Sequence, residues 1–381
     1  MLVVILSITF IIYQIIKKNL KIFFNSYFIF FFIFWIYLII NSFFSYDSSL
    51  SLSRTIPYIR FGILFLAISF FLNDKNFKLN FYRIILIFLT AICIDAIIQF
   101  FFGINLLGYP SLHVSRISSF FNEELILGSF LLKMYPLFLA SIIFFYKKNL
   151  LKNKLIFISL VILLTFSIYI SGERTAFYNF LICNFILLFI LYKKKFIKYY
   201  ILILLIFPIM ILGANIKNYN VLDRYLDVKN TIFNNTSIFL FSQTHENHFV
   251  SAYKIFKSKP VLGYGVKTFK YLCQKTEFHP IGCSTHPHNI VMQFLSELGI
   301  LGFLFYLFAF LYFLYNLFKL FISKIKNYEN INVSNLKIYF LVIIIINLWP
   351  FSPSGNFFNN WLSILIFLSV GFLVHYNKNH G

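Results

Sequence analysis

The chain has 381 residues, of which 60% are hydrophobic, 22% aromatic and only 12% charged, with a formal net charge of +21. A soluble domain carries roughly a quarter charged residues, so this composition excludes water as the main solvent. The positive excess sits in the connections between apolar runs and is read as loop lysine rather than as a nucleic-acid surface.

Apolar windows of about 15 to 23 residues recur along most of the chain, the signature of membrane-spanning helices. Lipid cannot satisfy the backbone of an open strand, and the ten-residue alternating segments of a barrel are absent, so the fold class is all-α. Predicted spans are 2–16, 22–44, 56–72, 81–102, 122–146, 155–171, 175–192, 199–216, 289–318, 338–350 and 361–375. The expectation is a polytopic helical membrane protein with about 11 transmembrane helices and one large periplasmic loop. Residues 1–216 form an N-terminal bundle of about eight helices, 217–286 the loop with short helices, and 287–381 about three C-terminal helices, together one catalytic membrane domain. Residues 1–16 lack a basic leader and a small-residue cleavage site, so they are read as a first span and not as a signal peptide.

Lysine alternates from connection to connection: Lys17, Lys18 and Lys21, then Lys75 and Lys78, then Lys147 to Lys154, then Lys193 to Lys198, then Lys319 to Lys337, and Lys378. The positive-inside rule puts those connections in the cytoplasm and the start of the chain outside. Of six arginines, Arg54, Arg60, Arg116, Arg174 and Arg224 then fall on the outer side. Orientation needs only charge, whereas the guanidinium fork grips phosphate or carboxylate bidentately, so these arginines are candidate phosphate ligands. The alternative is that they snorkel or pair with Asp47, Glu173 or Asp223. Inside the spans, Asp95 and Lys133 need partners, and a mutual pair is the economical expectation, with Glu124 or Glu123 as the alternative partner for Lys133.

In the outer loop, LDRYLDVKNTIF and NHFVSAYKIFKSK read as short amphipathic helices, and Pro260, Gly263 and Gly265 as punctuation. Cys273 and Cys283 are ten residues apart in an oxidising compartment and are read as a disulfide. The competing reading is a zinc site of Cys273, Cys283, His279 and His286, whose spacing matches no common finger.

The stretch STHPHNIVMQFLSELGILG, residues 284–302, gathers two histidines, an amide, a carboxylate and two glycines at the start of a long apolar run. Pro287 suits a first helical turn, with Ser284 and Thr285 as capping hydroxyls. On a helical wheel Asn289, Gln293, Ser296 and Glu297 share a polar face with His288. A histidine in the first turn feels the positive end of the helix dipole and, with arginines nearby, is held neutral, which suits a general base. The bland alternative is a histidine that only caps loop carbonyls.

His288-Asn289, nine residues, Gly299, two residues, Gly302 resembles the H-[NSQ]-x9-G-x-x-[GTY] signature of the O-antigen ligase and Wzy-type polymerase superfamily. PVLGYGVKTF is similar to the P-x-x-G-x-G-x-x-x-F segment that precedes the histidine in that family. SGERTAF and RISSFFNEELILGSFL resemble two further recurrent segments. The resemblance extends over about residues 100–375. It implies a glycosyltransferase of the bacterial inner membrane that uses no metal, cofactor or nucleotide sugar. Such an enzyme takes a glycan from undecaprenyl diphosphate at the periplasmic face and passes it to a hydroxyl of lipid A–core or of another lipid-linked glycan. By the same resemblance His288 is the base, Arg174, Arg116 and Arg224 are diphosphate candidates, and His286, Asn289, Glu297 and Glu123 support them. The expected arrangement is a neutral imidazole and several guanidinium groups gathered at the outer rim. The histidine motif does not separate ligase from polymerase. A transporter of anionic lipids and a structural partner of an envelope complex are the alternatives from other classes.

Overall fold

The computed structural model describes residues 2–111, 115–146, 154–191, 225, 242–278, 280–326 and 334–378. Among them every regular element is a helix, and one antiparallel bridge joins Ile104 to Pro110. Six segments are long and apolar enough to cross a membrane: Ser26–Phe43, Ser48–Phe71, Lys75–Phe102, Leu127–Phe145, Ile290–Ile322 and Asn360–Lys378. Leu2–Ile16, Leu155–Ile170, Arg174–Leu188 and Leu336–Asn347 are shorter apolar helices. Among the described residues the fold is therefore all-helical, with helices that can cross a membrane. The predicted span 199–216, Arg224, His279 and most of LDRYLDVKNTIF lie outside the described residues.

The helices fall into two units, one of Met1–Lys75 with Ile238–Gly381 and one of Asn76–Ser237. The first unit contains α1 (Leu2–Ile16), α2 (Ser26–Phe43), α3 (Ser48–Thr55) and α4 (Ile59–Phe71). Two of these start later or earlier than the apolar runs suggest, because polar caps set the boundary. The Asn25 side chain accepts from Tyr27 N–H at 3.0 Å and starts α2, and Asp47 accepts from Leu50 N–H at 2.9 Å and starts α3. Such side-chain acceptors satisfy donors that a first turn leaves orphaned. Phe61 through Ser69 of α4 are all buried, the pattern of a helix surrounded on every side. Its neighbour is α13 (Asn360–Lys378), with Phe367 stacked on Phe61 at 5.8 Å and Gly371 lying against the Phe65 carbonyl. By contrast α1 leaves Ile8, Ile12, Ile15 and Ile16 uncovered, as a helix facing lipid does.

The second unit holds α5 (Lys75–Phe102), α6 (Leu127–Tyr146), α7 (Lys154–Ile170) and α8 (Arg174–Leu191). Tyr82 stacks on Phe144 at 4.4 Å, and Tyr135 O–H donates to Asn184 Oδ1 at 2.9 Å. Asp95, fully buried, accepts from Leu106 N–H at 2.8 Å and from the Ser119 hydroxyl at 2.5 Å. It thus ties down the connection after α5. The carboxylate whose charge acts on Lys133 is Glu173. The α6 helix starts at Leu127, after the predicted 122, because Glu173 Oε1 and Oε2 accept the Gly128 and Ser129 N–H groups and cap its first turn.

The remaining elements belong to the first unit: α9 (Gln243–Ser258), the one-turn α10 (Phe269–Leu272), α11 (Ile290–Lys326) and α12 (Ser334–Asn347). They carry the candidate site.

Candidate active site

α9 contains the NHFVSAYKIFKSK segment expected to be amphipathic. Ala252 and Ile255 bury its apolar side against Phe269, Leu272, Cys273 and Phe278, a small core separate from the bundle aromatics. His245 and His248, three residues apart, share a side of this helix. Cys273 and Cys283 are joined in a disulfide with Cα atoms 5.0 Å apart. Their sulfurs are bonded to each other, which removes both from the alternative zinc set.

The chain between that disulfide and α11 is held almost entirely by backbone acceptors. The His286 ring is buried, its Nε2 lies 3.3 Å from the Ser354 carbonyl, and the Thr285 hydroxyl lies 3.0 Å from Nδ1. A carbonyl can only accept, so Nε2 carries the proton and Nδ1 accepts from Thr285. Ser354 N–H in turn donates to the His288 carbonyl at 2.7 Å. His288 itself has φ +54, a left-handed conformation that costs free energy in a residue with a Cβ.

The α11 helix begins at Ile290, so neither Pro287 nor His288 sits inside its first turn. The cap is Asn289, whose Oδ1 accepts from Met292 N–H at 3.1 Å, in place of Ser284 or Thr285. The Asn289 amide donates to the Pro350 carbonyl at 2.8 Å. One turn on, the Gln293 amide donates to Asn356 Oδ1 at 3.0 Å and to Glu297 Oε2 at 3.1 Å, while Gln293 Oε1 accepts from Phe357 N–H at 3.0 Å. The polar face of α11 thus braces the 350–357 connection between α12 and α13, and Ser354 of that connection braces both histidines.

Gly299 interrupts α11 with φ 66 and ψ −168. The break frees backbone groups that the PVLGYG segment takes up. Ile300 N–H donates to the Pro260 carbonyl at 2.8 Å, and Gly265 N–H donates to the Glu297 carbonyl at 2.7 Å. A Cβ on Gly299 would strike the Val261 carbonyl, and one on Gly263 would lie 2.6 Å from Glu297 backbone. The two glycine-bearing segments of the signature are therefore two halves of one clamp. Tyr37 O–H to the Leu298 carbonyl and the Asn41 amide to the Leu262 carbonyl anchor that clamp to α2.

Four imidazoles meet just before the start of α11, about nine helical residues ahead of the break at Gly299. His288 has ring centroids 4.0 Å from His286, 5.1 Å from His248 and 5.5 Å from His245. His248 Nδ1 is 2.9 Å from the Gly282 carbonyl, and His245 Nδ1 is 2.6 Å from the Ser242 hydroxyl. His288 alone of the four has no ring hydrogen bond among the described residues. Burial pushes its pKa down to about 3, helped by His286, His245 and His248, and burial pushes His286 down to about 4. The sequence placed His288 in a dipole field among arginines; the structure gives desolvation and neighbouring imidazoles as the cause instead. No group of three or more His, Cys, Asp or Glu among the described residues is arranged to hold a metal ion.

In the second unit, Arg174 opens α8, half-buried and without a hydrogen-bond partner among the described residues. Arg116 donates from Nη2 to the Leu125 carbonyl at 2.7 Å. Burial raises the Glu173 carboxyl, opposed by the Ser129 hydroxyl and the Arg116 charge. Glu123 is exposed in the turn before α6. Sequence reading missed His245 and His248 as members of the histidine cluster. Their only local signal is the H-x-x-H spacing on a short amphipathic helix.

A set of apolar helices, with a histidine cluster at the start of α11 in which the His288 ring has no hydrogen bond among the described residues, defines a membrane protein with a candidate acid–base site. Residues 158–307 match the family described as O-antigen ligase. The match includes Arg174, Arg224, His288, Asn289, Glu297 and Gly299, and it stops short of Arg116 and Glu123. The family comprises membrane glycosyltransferase-like enzymes, ligases and polymerases. No curated protein matches the chain.

Proposed function

We propose that the protein is an O-antigen ligase-like glycosyltransferase. It moves a glycan from undecaprenyl diphosphate to a hydroxyl of lipid A–core or another surface acceptor, at the periplasmic face of the bacterial inner membrane. The observation that carries this reading is the setting of His288: half-buried among three other imidazoles, alone of the four in having no ring hydrogen bond among the described residues, with burial favouring its neutral form. A neutral imidazole with a free lone pair can take the proton of an acceptor hydroxyl as its oxygen attacks the anomeric carbon. The bond from that carbon to the diphosphate oxygen breaks, and undecaprenyl diphosphate leaves with the electron pair. A pKa as low as about 3 makes a poor base in the free protein. The negative charge of a bound diphosphate raises it, so basicity develops when the donor arrives.

Arg174 and Arg116, with Arg224, are assigned the diphosphate. The Arg174 guanidinium, without a hydrogen-bond partner among the described residues, is the group best able to stabilise charge as the lipid diphosphate departs. Lysine on alternate connections supports the inner-membrane orientation. The test is the glycan profile of a strain lacking the protein. Full-length chains stranded on the carrier lipid are the expected result and identify a ligase. Single-repeat product with short carrier-linked chains makes the protein a Wzy-type polymerase, and an unchanged profile removes the transferase reading.

A further inference from the structure

The signature places one histidine at the reaction, yet three others surround it, and one of these is fixed more firmly than its position on a loop-borne helix requires. The His248 nitrogen Nδ1 lies 2.9 Å from the Gly282 carbonyl, which can only accept, so this nitrogen carries the proton and the ring orientation is set. Gly282 is itself immobilised twice. It precedes Cys283, which is bonded to Cys273, and it lies so close to the Asn247 carbonyl that a Cβ there would collide with it. Asn247 is the residue before His248, so helix and disulfide loop grip each other at this point from both sides. Behind them Ile255 and Ala252 of α9 pack against Cys273 itself.

The His248 ring is presented to His288 face to face, with centroids 5.1 Å apart and planes 25° from parallel. That separation brings the two rings together without an in-line path for a hydrogen bond between them, so the contact positions and does not transfer a proton. His245 meets the same ring edge-on, at 5.5 Å and 88°. The His288 ring makes no hydrogen bond among the described residues and its backbone is strained, so its ring orientation depends on these walls.

We propose that His248 is a positioning residue for the transfer, a rigid wall that aims the His288 imidazole and takes its own rigidity from the disulfide loop through the Gly282 carbonyl. The proposal rests on His288 acting as the base in the reading above. Misplacing a base by about an ångström costs on the order of a hundredfold in rate, without changing how substrate binds elsewhere.

The experiment uses the full chain in lipid nanodiscs, supplied with the lipid extract of a strain lacking the protein, which contains both carrier-linked glycan and its acceptors. Release of undecaprenyl diphosphate is followed against extract concentration for the wild type, His248→Ala, His248→Phe and His288→Ala, on protein verified to retain the Cys273–Cys283 bond. His248→Ala is expected to lower kcat about tenfold to a hundredfold with KM within about threefold of wild type. His248→Phe, which keeps a flat ring, is expected to recover most of that kcat. Wild-type kcat in His248→Ala overturns the proposal. So does a His248→Phe variant as slow as the alanine form, since the imidazole itself would then be needed at the substrate. A wild-type protein that releases no undecaprenyl diphosphate, or a His288→Ala variant equal to it, overturns the transfer reading and this proposal together.

Discussion

Glu173 and His288 are both ionisable groups that burial holds toward their neutral forms, and both lie at the doorstep of a long helix, yet they are treated in opposite ways. The Glu173 carboxylate is used up: it accepts from Gly128 N–H at 2.8 Å, from Ser129 N–H at 3.2 Å and from the Ser129 hydroxyl at 2.5 Å. The backbone of His288 is fixed by Ser354, while its ring nitrogens have no partner among the described residues. A buried polar group that satisfies its neighbours belongs to the architecture, since its loss strands their donors. A half-buried ring whose nitrogens have no partner among the described residues, carried on a strained backbone, is held at a cost, and chemistry is the usual reason.

The comparison can be sharpened by mutation. Glu173→Ala strands the first donors of α6 and is expected to lose about 3 kcal/mol of stability, read as a clear fall in Tm of the purified protein. A Glu173→Ala protein with unchanged Tm would make that carboxylate dispensable to the fold. Arg174→Lys keeps the charge and loses the fork, so it should lower glycan product about tenfold or more while Tm stays put. Full product from Arg174→Lys would reduce that guanidinium to an interfacial anchor.

A smaller effect should appear with pH. His286 and His288 have folded pKa values of about 4 and about 3, both below the unfolded value of 6.5. The unfolded chain therefore takes up protons first as pH falls. Stability is fully present above about pH 6.5 and declines between there and about pH 4 to 3. Over the same range His288 stays neutral in the free protein, so kcat/KM should show no acid limb near pH 6.5. A limb centred there would mean that the imidazole is solvated like an ordinary histidine.

The apolar helices among the described residues were legible because a run of about 20 apolar residues has few alternatives in lipid. Their ends were less so, since Asn25, Asp47 and Glu173 decide them by side-chain hydrogen bonds that hydropathy does not register. His288 and the two glycine segments were visible as a spaced pattern. That they interlock, with Gly299 against Val261 and Gly263 against Glu297, was not, because the segments are separated by the disulfide loop. Placing Pro287 in the helix went wrong for a physical reason: Asn289 outcompetes Ser284 and Thr285 as the cap, which leaves His288 outside the first turn. His248 read as a residue of an amphipathic helix, and His245 lay outside that segment. Only the folded chain brings α9 beside a loop some forty residues later.

The central claim is that His288 is a chemical group and not a structural one. The most direct measurement takes His288→Ala and wild type through the same two assays, undecaprenyl diphosphate release and thermal unfolding. The account predicts a loss of release of about a hundredfold or more with Tm essentially unchanged. Release that persists while Tm falls would contradict it, because His288 would then belong with Glu173 among the groups that hold the fold.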